Sequence, residues 1–435
     1  MLLWAAALLA AGLAVAAALF AVQRDGTDAV TARNAADEAA AREARIAFFE
    51  QRAAADPLDF LSLNALTGQY LQRARETGNV ADYQRAETAA TRSLELVPVD
   101  NYGGVIGLAS VRLVQHDFAA VESLAHDAMS LKPYEAAPHG LLADAQVGLG
   151  DYAEASKSLA AMVEIDAGLP AFSRLAHLAF VRGDEINAVE FWCQAIGAAD
   201  GTAAPVENLA WAHVQLGVTY FTLGDLDKAA TEHEQALRLF PDYVHALVGL
   251  GQVRAAEQRW DEAAALYERA VARLPQPQYV AALGDVYAAA GRDAEAGAQY
   301  ALVEAIAALY RDNGINTDLQ IALFYADHDI ELALALEMAR AAYAAAPGVY
   351  AADALAWALY KNGEHEEAAR MSEAARAWDT PDASFYFHAA LISRALGDDA
   401  AARDQLQRAL DLSPRFAPLQ AEQARALSAE LEALR

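Results

Sequence analysis

From Leu2 to Val22 the chain is an uninterrupted run of apolar and small residues without a charge. At the rise of an α-helix such a stretch covers about 30 Å, the thickness of a bilayer's hydrocarbon core. The run therefore predicts a transmembrane helix. A cleaved export signal is the alternative, since Ala16, Ala18 and Ala21 are small enough for processing, although the apolar run is longer than most signal cores. Residues 23–34 read as a polar linker, and Ala35 to Ala55 as a helix that delivers Ile46, Phe48 and Phe49 to the next segment before Asp56-Pro57 ends it. Beyond Pro57 the apolar positions follow helical periodicity, in segments of a dozen or so residues separated by turns marked with Gly or Pro.

Those segments repeat. Leu216-Gly217 recurs 34 residues on as Leu250-Gly251, Ala229 as Ala263, Ala236 as Ala270 and Pro241 as Pro275. A further step of 33 brings Leu283-Gly284, Ala296 and Tyr300, and near the C-terminus Gly363, Ala368 and Ala375 recur as Gly397, Ala402 and Ala409. Coincidence of separate landmarks at one period is the mark of a solenoid. Each unit reads as a helical hairpin whose turn carries Gly150, Gly183, Gly224, Gly291, Gly363 or Gly397, where a positive φ is cheapest. Gly217 and Gly251 on the first helix and Ala229 and Ala263 on the second let the two axes approach closely, with Leu216, Tyr220 and Leu237 filling the remaining space. Pro241, Pro275 and Pro414 stop the second helix.

Leu216-Gly217-x-x-Tyr220 and Leu283-Gly284-x-x-Tyr287 resemble the first helix of the tetratricopeptide repeat, whose pattern continues with Ala and an aromatic on the second helix, then Ala and Pro. The resemblance implies an all-α, right-handed superhelical solenoid, here preceded by the transmembrane or signal helix. In this phase the units fall at 58–100, 102–135, 136–168, 169–202, 210–243, 244–276, 277–310, 314–347, 349–382 and 383–416. The first diverges through a longer turn, Glu76 to Tyr83, and the eighth keeps only Ala333 and Pro347 as landmarks. The expected organisation is thus an anchor or signal at 1–22, a linker and leading helix at 23–57, the array at 58–416 and a capping helix at 417–435. In that last helix Leu419, Ala426, Leu427 and Leu431 are expected to face the array. Leu63 to Asn79 and Ala351 to Gly363 are also similar to long bacterial tetratricopeptide proteins of no assigned activity.

Composition narrows the function. Asp and Glu number 60 against 32 Lys and Arg, a net charge of −28, so the surface repels phosphate backbones and nucleic acid is not an expected partner. Hydrophobic residues make up 55% of the chain, enough for an extended core. One cysteine, Cys193, excludes an intramolecular disulfide framework and a multi-thiolate zinc site; it is expected to be a buried packing residue. Gly148-Leu149-Gly150-x-x-Ala153 has the spacing of a dinucleotide fingerprint, but sits at a turn between helices where that motif needs a preceding strand. No Gly-x-Ser-x-Gly elbow or phosphate loop occurs, and no two histidines stand three or four residues apart as helical metal ligands would. A composite site from His177, His213 and His245 has no support beyond residue type. Neither a catalytic residue, a metal nor a cofactor is expected.

What the resemblance does imply is a peptide groove on the inner curve, lined by positions two, five, nine and twelve of each first helix. Counting those positions selects His177, Trp211, His245, Asp285, Asp318, Tyr350, Asp353, Trp357 and Phe387 as groove candidates, with Asp144, Phe180, Phe221 and Tyr360 beside them. This set is aromatic and acidic. It lacks the Lys and Asn of the family's carboxylate clamp, since position five carries Val214, Val248, Ala281, Asp353 and Phe387. The expected partners are therefore basic or amphipathic segments of proteins or peptides. The reading is a non-enzymatic scaffold tethered to a bacterial-type membrane and serving assembly of a cell-envelope complex. A cleaved soluble periplasmic protein and a non-catalytic regulatory subunit are the alternatives. Arg24, Arg33, Arg42 and Arg45 follow the apolar run, a bias that on its own places the body in the cytoplasm. The signal-like character of the run points outward, and an extracytoplasmic body is the expectation retained.

Overall fold

A computed structural model describes residues 35–199, 205–312 and 318–433, with the side chains of 310–312 and 318 left out. The apolar run Leu2–Val22 lies outside the described residues; among those described, no helix is long and apolar enough to cross a membrane. Within them the chain forms 22 helices and no strand. Helix α1 (residues 35–55) precedes ten consecutive hairpins. These are α2 Phe60–Thr77 with α3 Val80–Leu96, α4 Tyr102–Val114 with α5 Phe118–Leu131, α6 Ala136–Gly148 with α7 Tyr152–Ile165, α8 Leu169–Val181 with α9 Glu185–Ala199, and α10 Val206–Thr222 with α11 Leu226–Leu239. There follow α12 Val244–Ala256 with α13 Trp260–Arg273, α14 Pro277–Ala289 with α15 Asp293–Asp312, α16 Asp318–Asp327 with α17 Leu332–Ala345, α18 Val349–Lys361 with α19 His365–Ala375, and α20 Ala383–Ala395 with α21 Asp399–Leu412. Helix α22, Gln420–Ala433, stacks on α21.

Local chemistry sets each hairpin. Every turn between the two helices holds a residue at positive φ: Gly78, Gly150, Gly183, Gly224, Gly291, Gly363 or Gly397, and in the remaining three His116, Gln258 and Asp329, the last followed by Glu331. The left-handed residue closes the first helix, as where the Asp225 amide reaches back to the Tyr220 carbonyl at 2.9 Å and the Asp398 amide to Ser393 at 2.9 Å. The same aspartates then cap the second helix, Asp225 accepting from the Lys228 amide and Asp398 from that of Ala401. Between the helices, glycine meets an aromatic ring. A β-carbon at Gly217 would lie 2.7 Å from the His233 ring, and one at Gly251 3.0 Å from Tyr267. Ala229, Ala236, Ala263 and Ala270 are completely buried, as close approach of the axes requires.

Three local expectations change. In the eighth hairpin the buried small residue is Ala335, with Ala333 exposed, because α17 starts at Leu332 after the left-handed Glu331. The last helix begins at Gln420 and turns Ala421, Ala424 and Leu431 inward, leaving Ala426 exposed. Cys193 is exposed on α9, its thiol pushed up by desolvation and by Glu232 and Glu190.

The winding is tight enough for successive superhelical turns to touch. At each such contact the turn of one hairpin meets the chain just after the hairpin five places later. A β-carbon on Gly150 of the third would lie 2.9 Å from the Pro347 carbonyl oxygen, and one on Gly183 of the fourth 2.8 Å from that of Asp379. One on Gly224 of the fifth would lie 2.7 Å from the Leu412 carbonyl, and one on Gly78 of the first 2.6 Å from Leu274. Hydrogen bonds join the same turns: the Val349 amide donates to the Tyr152 hydroxyl at 3.0 Å, and the Thr380 hydroxyl to the Val181 carbonyl at 2.5 Å. As a result the largest core cluster mixes Tyr152, Leu159 and Leu178 with Phe385, Leu406 and Leu412.

Candidate functional site

Because the first helix of each hairpin faces inward, the first five hairpins enclose a cavity of about 610 Å³. Its apolar wall includes Leu71 of α2, Tyr83 of α3, Leu113 of α4, Leu141 of α6, and Trp192 and Trp211, which pack edge to face with centroids 5.4 Å apart. A second cavity of about 340 Å³ shares Asp144, Val147 and His177 with the first and extends to Val349 and Tyr350 of the following superhelical turn. His177 faces this space with its side chain exposed; desolvation by the helices around it, partly offset by Asp144, lowers its pKa, so the ring is neutral at pH 7.

Charges at the cavity wall are paired. Arg174 grips Asp144 through Nε at 3.0 Å and Nη2 at 2.8 Å, while its Nη1 donates to the Pro170 carbonyl at 2.9 Å. Glu207, almost fully buried, accepts from the Tyr243 hydroxyl at 2.7 Å and from Gln72 at 3.1 Å, and stands 3.4 Å from Arg75. Burial and the Glu207 carboxylate both drive the Tyr243 phenol strongly upward, so it donates at every pH of interest. Beside it, the Val206 amide that opens α10 is bonded by Glu38 of α1 at 3.0 Å, a carboxylate at a helix N-terminus supplied by a distant element. The inner wall is therefore aromatic and apolar, with each carboxylate matched by a donor.

The candidates chosen by repeat position divide accordingly. His177, Trp211 and Tyr350 line the two cavities. His245 is half-buried against the Tyr279 hydroxyl at 2.8 Å, and Asp285 is held by the Tyr300 hydroxyl and His328 Nε2, both at 2.9 Å. Asp353, Trp357 and Phe387 are buried and offer no surface to a ligand. Asp353 bonds His388 Nδ1 at 2.9 Å, Trp357 stacks on that imidazole at 4.2 Å and donates to Asp327 at 2.8 Å, and Phe387 packs on Phe416. Phe180 and Tyr360 are half-buried, and Phe221 is core. The backbone of Asp318 opens α16, while its side chain is outside the described ones. Tight curvature explains the burial of Val214, Asp353 and Phe387 at position five, where neighbouring inner helices press together, while Val248 and Ala281 at the same position stay half-buried.

His177, His213 and His245 do not converge, since His213 is taken by Glu232 at 2.7 Å and His245 by Tyr279. Among the described residues no group of three or more His, Cys, Asp and Glu is arranged around a metal position. The Gly148-Leu149-Gly150 turn is covered by Pro347 of the next superhelical turn. Repeat position did not select Arg75, Tyr83 or Glu207 for the wall. The signal open to sequence for Arg174 was its spacing of 30 from Asp144, which puts the two on facing sides of consecutive inner helices.

Residues 214–278 and 354–415 match a family model described as tetratricopeptide repeat. Those two stretches carry the tetratricopeptide repeat, and the rest of the array shares their hairpin architecture. The chain is similar to the solved Cut9–Hcn1 hetero-tetramer of APC/C at 13% identity, over 86% of this chain and 96% of that one, with a TM-score of 0.34. Yeast Tom70 is similar at 14% identity over 86% and 96%, with a TM-score of 0.32. A tetratricopeptide repeat protein from Parabacteroides merdae is similar at 13% over 55% and 93%, with a TM-score of 0.39. No curated protein matches the sequence.

Proposed function

We infer that this tetratricopeptide protein is a non-enzymatic, membrane-tethered scaffold that receives an amphipathic segment of a partner protein along the inner wall of its first superhelical turn. The observation that carries the reading is the pair of joined cavities from Leu71 to Tyr350, walled by aromatic and aliphatic side chains whose neighbouring charges are already matched. Apolar anchors of the partner enter this wall, where desolvation makes aromatic contacts strong. Basic residues of the same segment face the acidic exterior, whose net charge of −28 acts mainly on association rate and salt dependence. Residues 2–22 supply the tether, and assembly of a complex at the cell envelope is the role this arrangement suits; a processed periplasmic form differs only in lacking the tether.

A peptide array probed with the purified protein, followed by calorimetry, tests the reading. Amphipathic peptides with net positive charge are expected to bind, with Trp211→Ala weakening them by more than tenfold, about 2 kcal/mol. Asp285→Asn, at a half-buried carboxylate outside both cavities, is expected to change affinity less than threefold. Unchanged affinity in the Trp211 variant removes the cavity as the recognition surface. Tethering is tested separately: the full chain should resist carbonate extraction from membranes, and processing near Ala21 would overturn that part.

A further inference from the structure

Among the described residues, the stacking of superhelical turns leaves two edges without a partner. Turns of the first, third, fourth and fifth hairpins are covered by the chain five hairpins on, whereas those of the seventh, ninth and tenth, at Gly291, Gly363 and Gly397, have nothing within 4 Å of an added β-carbon. These open turns keep the backbone of the covered ones, with φ of 73°, 81° and 82° against 71° to 80°, and Gly397-Asp398 repeats Gly224-Asp225, Gly183-Asp184 and Gly150-Asp151. At the opposite edge, the segments that follow the early hairpins are bare. Val99 is 69% exposed and Tyr134 87%, while Thr380 and Ser413, which follow the ninth and tenth hairpins and are covered by earlier turns, are 0% and 2% exposed.

The open turns and the open loops are thus the two halves of a contact that the chain already makes with itself. We propose that a second copy of the chain docks head to tail on this edge and continues the winding, its Val99 and Tyr134 loops seating on the seventh and eighth turns of the first copy. The terminal helices fit that register. Helix α22 packs on the tenth hairpin as an inner helix would, and α1 precedes the first hairpin as an outer helix would, with Ile46 in the core formed by Leu66, Tyr70 and Ala86. One copy's α22 and the next copy's α1 complete an eleventh hairpin between them. Counting five hairpins forward from Gly291 then arrives at Pro98-Val99, and from Asp329, which already holds Lys361 at 2.8 Å, at Lys132 to Tyr134. Because the contact is heterologous, it leaves a free edge at each end and does not stop at two copies. With −28 charges on every copy, self-repulsion opposes stacking, and added salt strengthens it by screening.

Sedimentation velocity of the full chain in mild detergent, from about 1 to 100 μM and at low and high salt, tests this. An open series of dimer, trimer and larger species that grows with concentration and with salt is expected. Tyr134→Asp should weaken association more than about tenfold. Ile186→Asp, at an equally exposed site on the outer face of α9, should leave it unchanged. A monomer across the whole range, a closed dimer that grows no further, or association that survives Tyr134→Asp would each overturn the proposal; the last would place the contact in residues 1–34. Circular dichroism of both variants guards against misfolding, and neither residue lines the cavities, so failure here leaves the peptide reading intact.

Discussion

His233 offers a sharp test of how the hairpins are packed. It occupies the place on α11 that Tyr267 and Tyr300 hold on their helices, its ring clamped between Gly217 and Gly249 with no exposed surface. Neither ring nitrogen has a hydrogen-bond partner. With desolvation as its cause, the pKa falls from 6.5 to about 4, and no charged side chain contributes. The folded state therefore disfavours the imidazolium. The neutral ring's contribution is complete above pH 6.5 and is lost as pH falls towards 4, because the unfolded chain takes up the proton first. At 1.36 kcal/mol per pH unit the full loss is about 3 kcal/mol, of which about 2 kcal/mol has gone by pH 5. His233→Phe keeps a ring of the size that Gly251 and Gly284 already accommodate and removes the proton. Urea denaturation of a chain beginning at Arg24, at pH 7.5 and pH 5, should show the variant losing about 2 kcal/mol less than the parent on acidification. His116, His177 and His245, all lowered by burial, are present in both proteins and cancel in the difference. Equal acid sensitivity of parent and variant would refute the reasoning, since a ring that protonates freely is not sealed between two glycines.

Three further outcomes follow from the same geometry. Ala229→Leu or Ala263→Leu forces side-chain volume between helices that leave none and should cost about 1–3 kcal/mol in chemical denaturation. Gln258→Gly relieves a left-handed residue at φ 61°, worth about 1–2 kcal/mol, against an unfolded-state entropy of about 0.4–1 kcal/mol; a net gain of about 0.5–1 kcal/mol should appear as a raised midpoint. Tyr152→Phe removes the hydroxyl that accepts from the Val349 amide and leaves a buried donor unpaired, at about 1–3 kcal/mol; hydrogen exchange at that amide should accelerate while the second hairpin is unaffected.

The hairpin was legible in the sequence because its determinants are local. Gly217 facing an aromatic, Ala229 and Ala236 at the closest approach, and a glycine before a capping aspartate each state their requirement within one repeat. Where a turn lacked glycine, at His116, Gln258 and Asp329, the positive φ could not be read, since the closing hydrogen bonds impose it without any signature in residue type. In the eighth unit the small-residue landmark was placed two residues early for a related reason: in an alanine-rich stretch, Ala333 and Ala335 are equivalent until the helix start is known. The candidate site was legible only in part. Repeat position found His177, Trp211 and Tyr350, whose orientation depends on one helix. It misjudged Asp353, Trp357 and Phe387, because their burial depends on curvature accumulated over many hairpins, on His388 and Asp327 of neighbouring units, and on Phe416 beyond the last one. Contacts between residues about 200 apart, such as Tyr152 with Val349, arise from the sum of small rotations that no single repeat encodes.

The central claim is that partners are recognised on the inner wall of the first superhelical turn. Its most direct measurement is site-specific photocrosslinking in the native cell, with a benzophenone side chain placed at Trp211 in one strain and at Ile186, on the outer face, in another. The account predicts a discrete crosslinked protein from position 211, diminished when Leu141 on the facing wall is changed to Glu, and none from position 186. The same adduct from position 186 with none from position 211 would contradict it, and would move recognition to the outside of the solenoid.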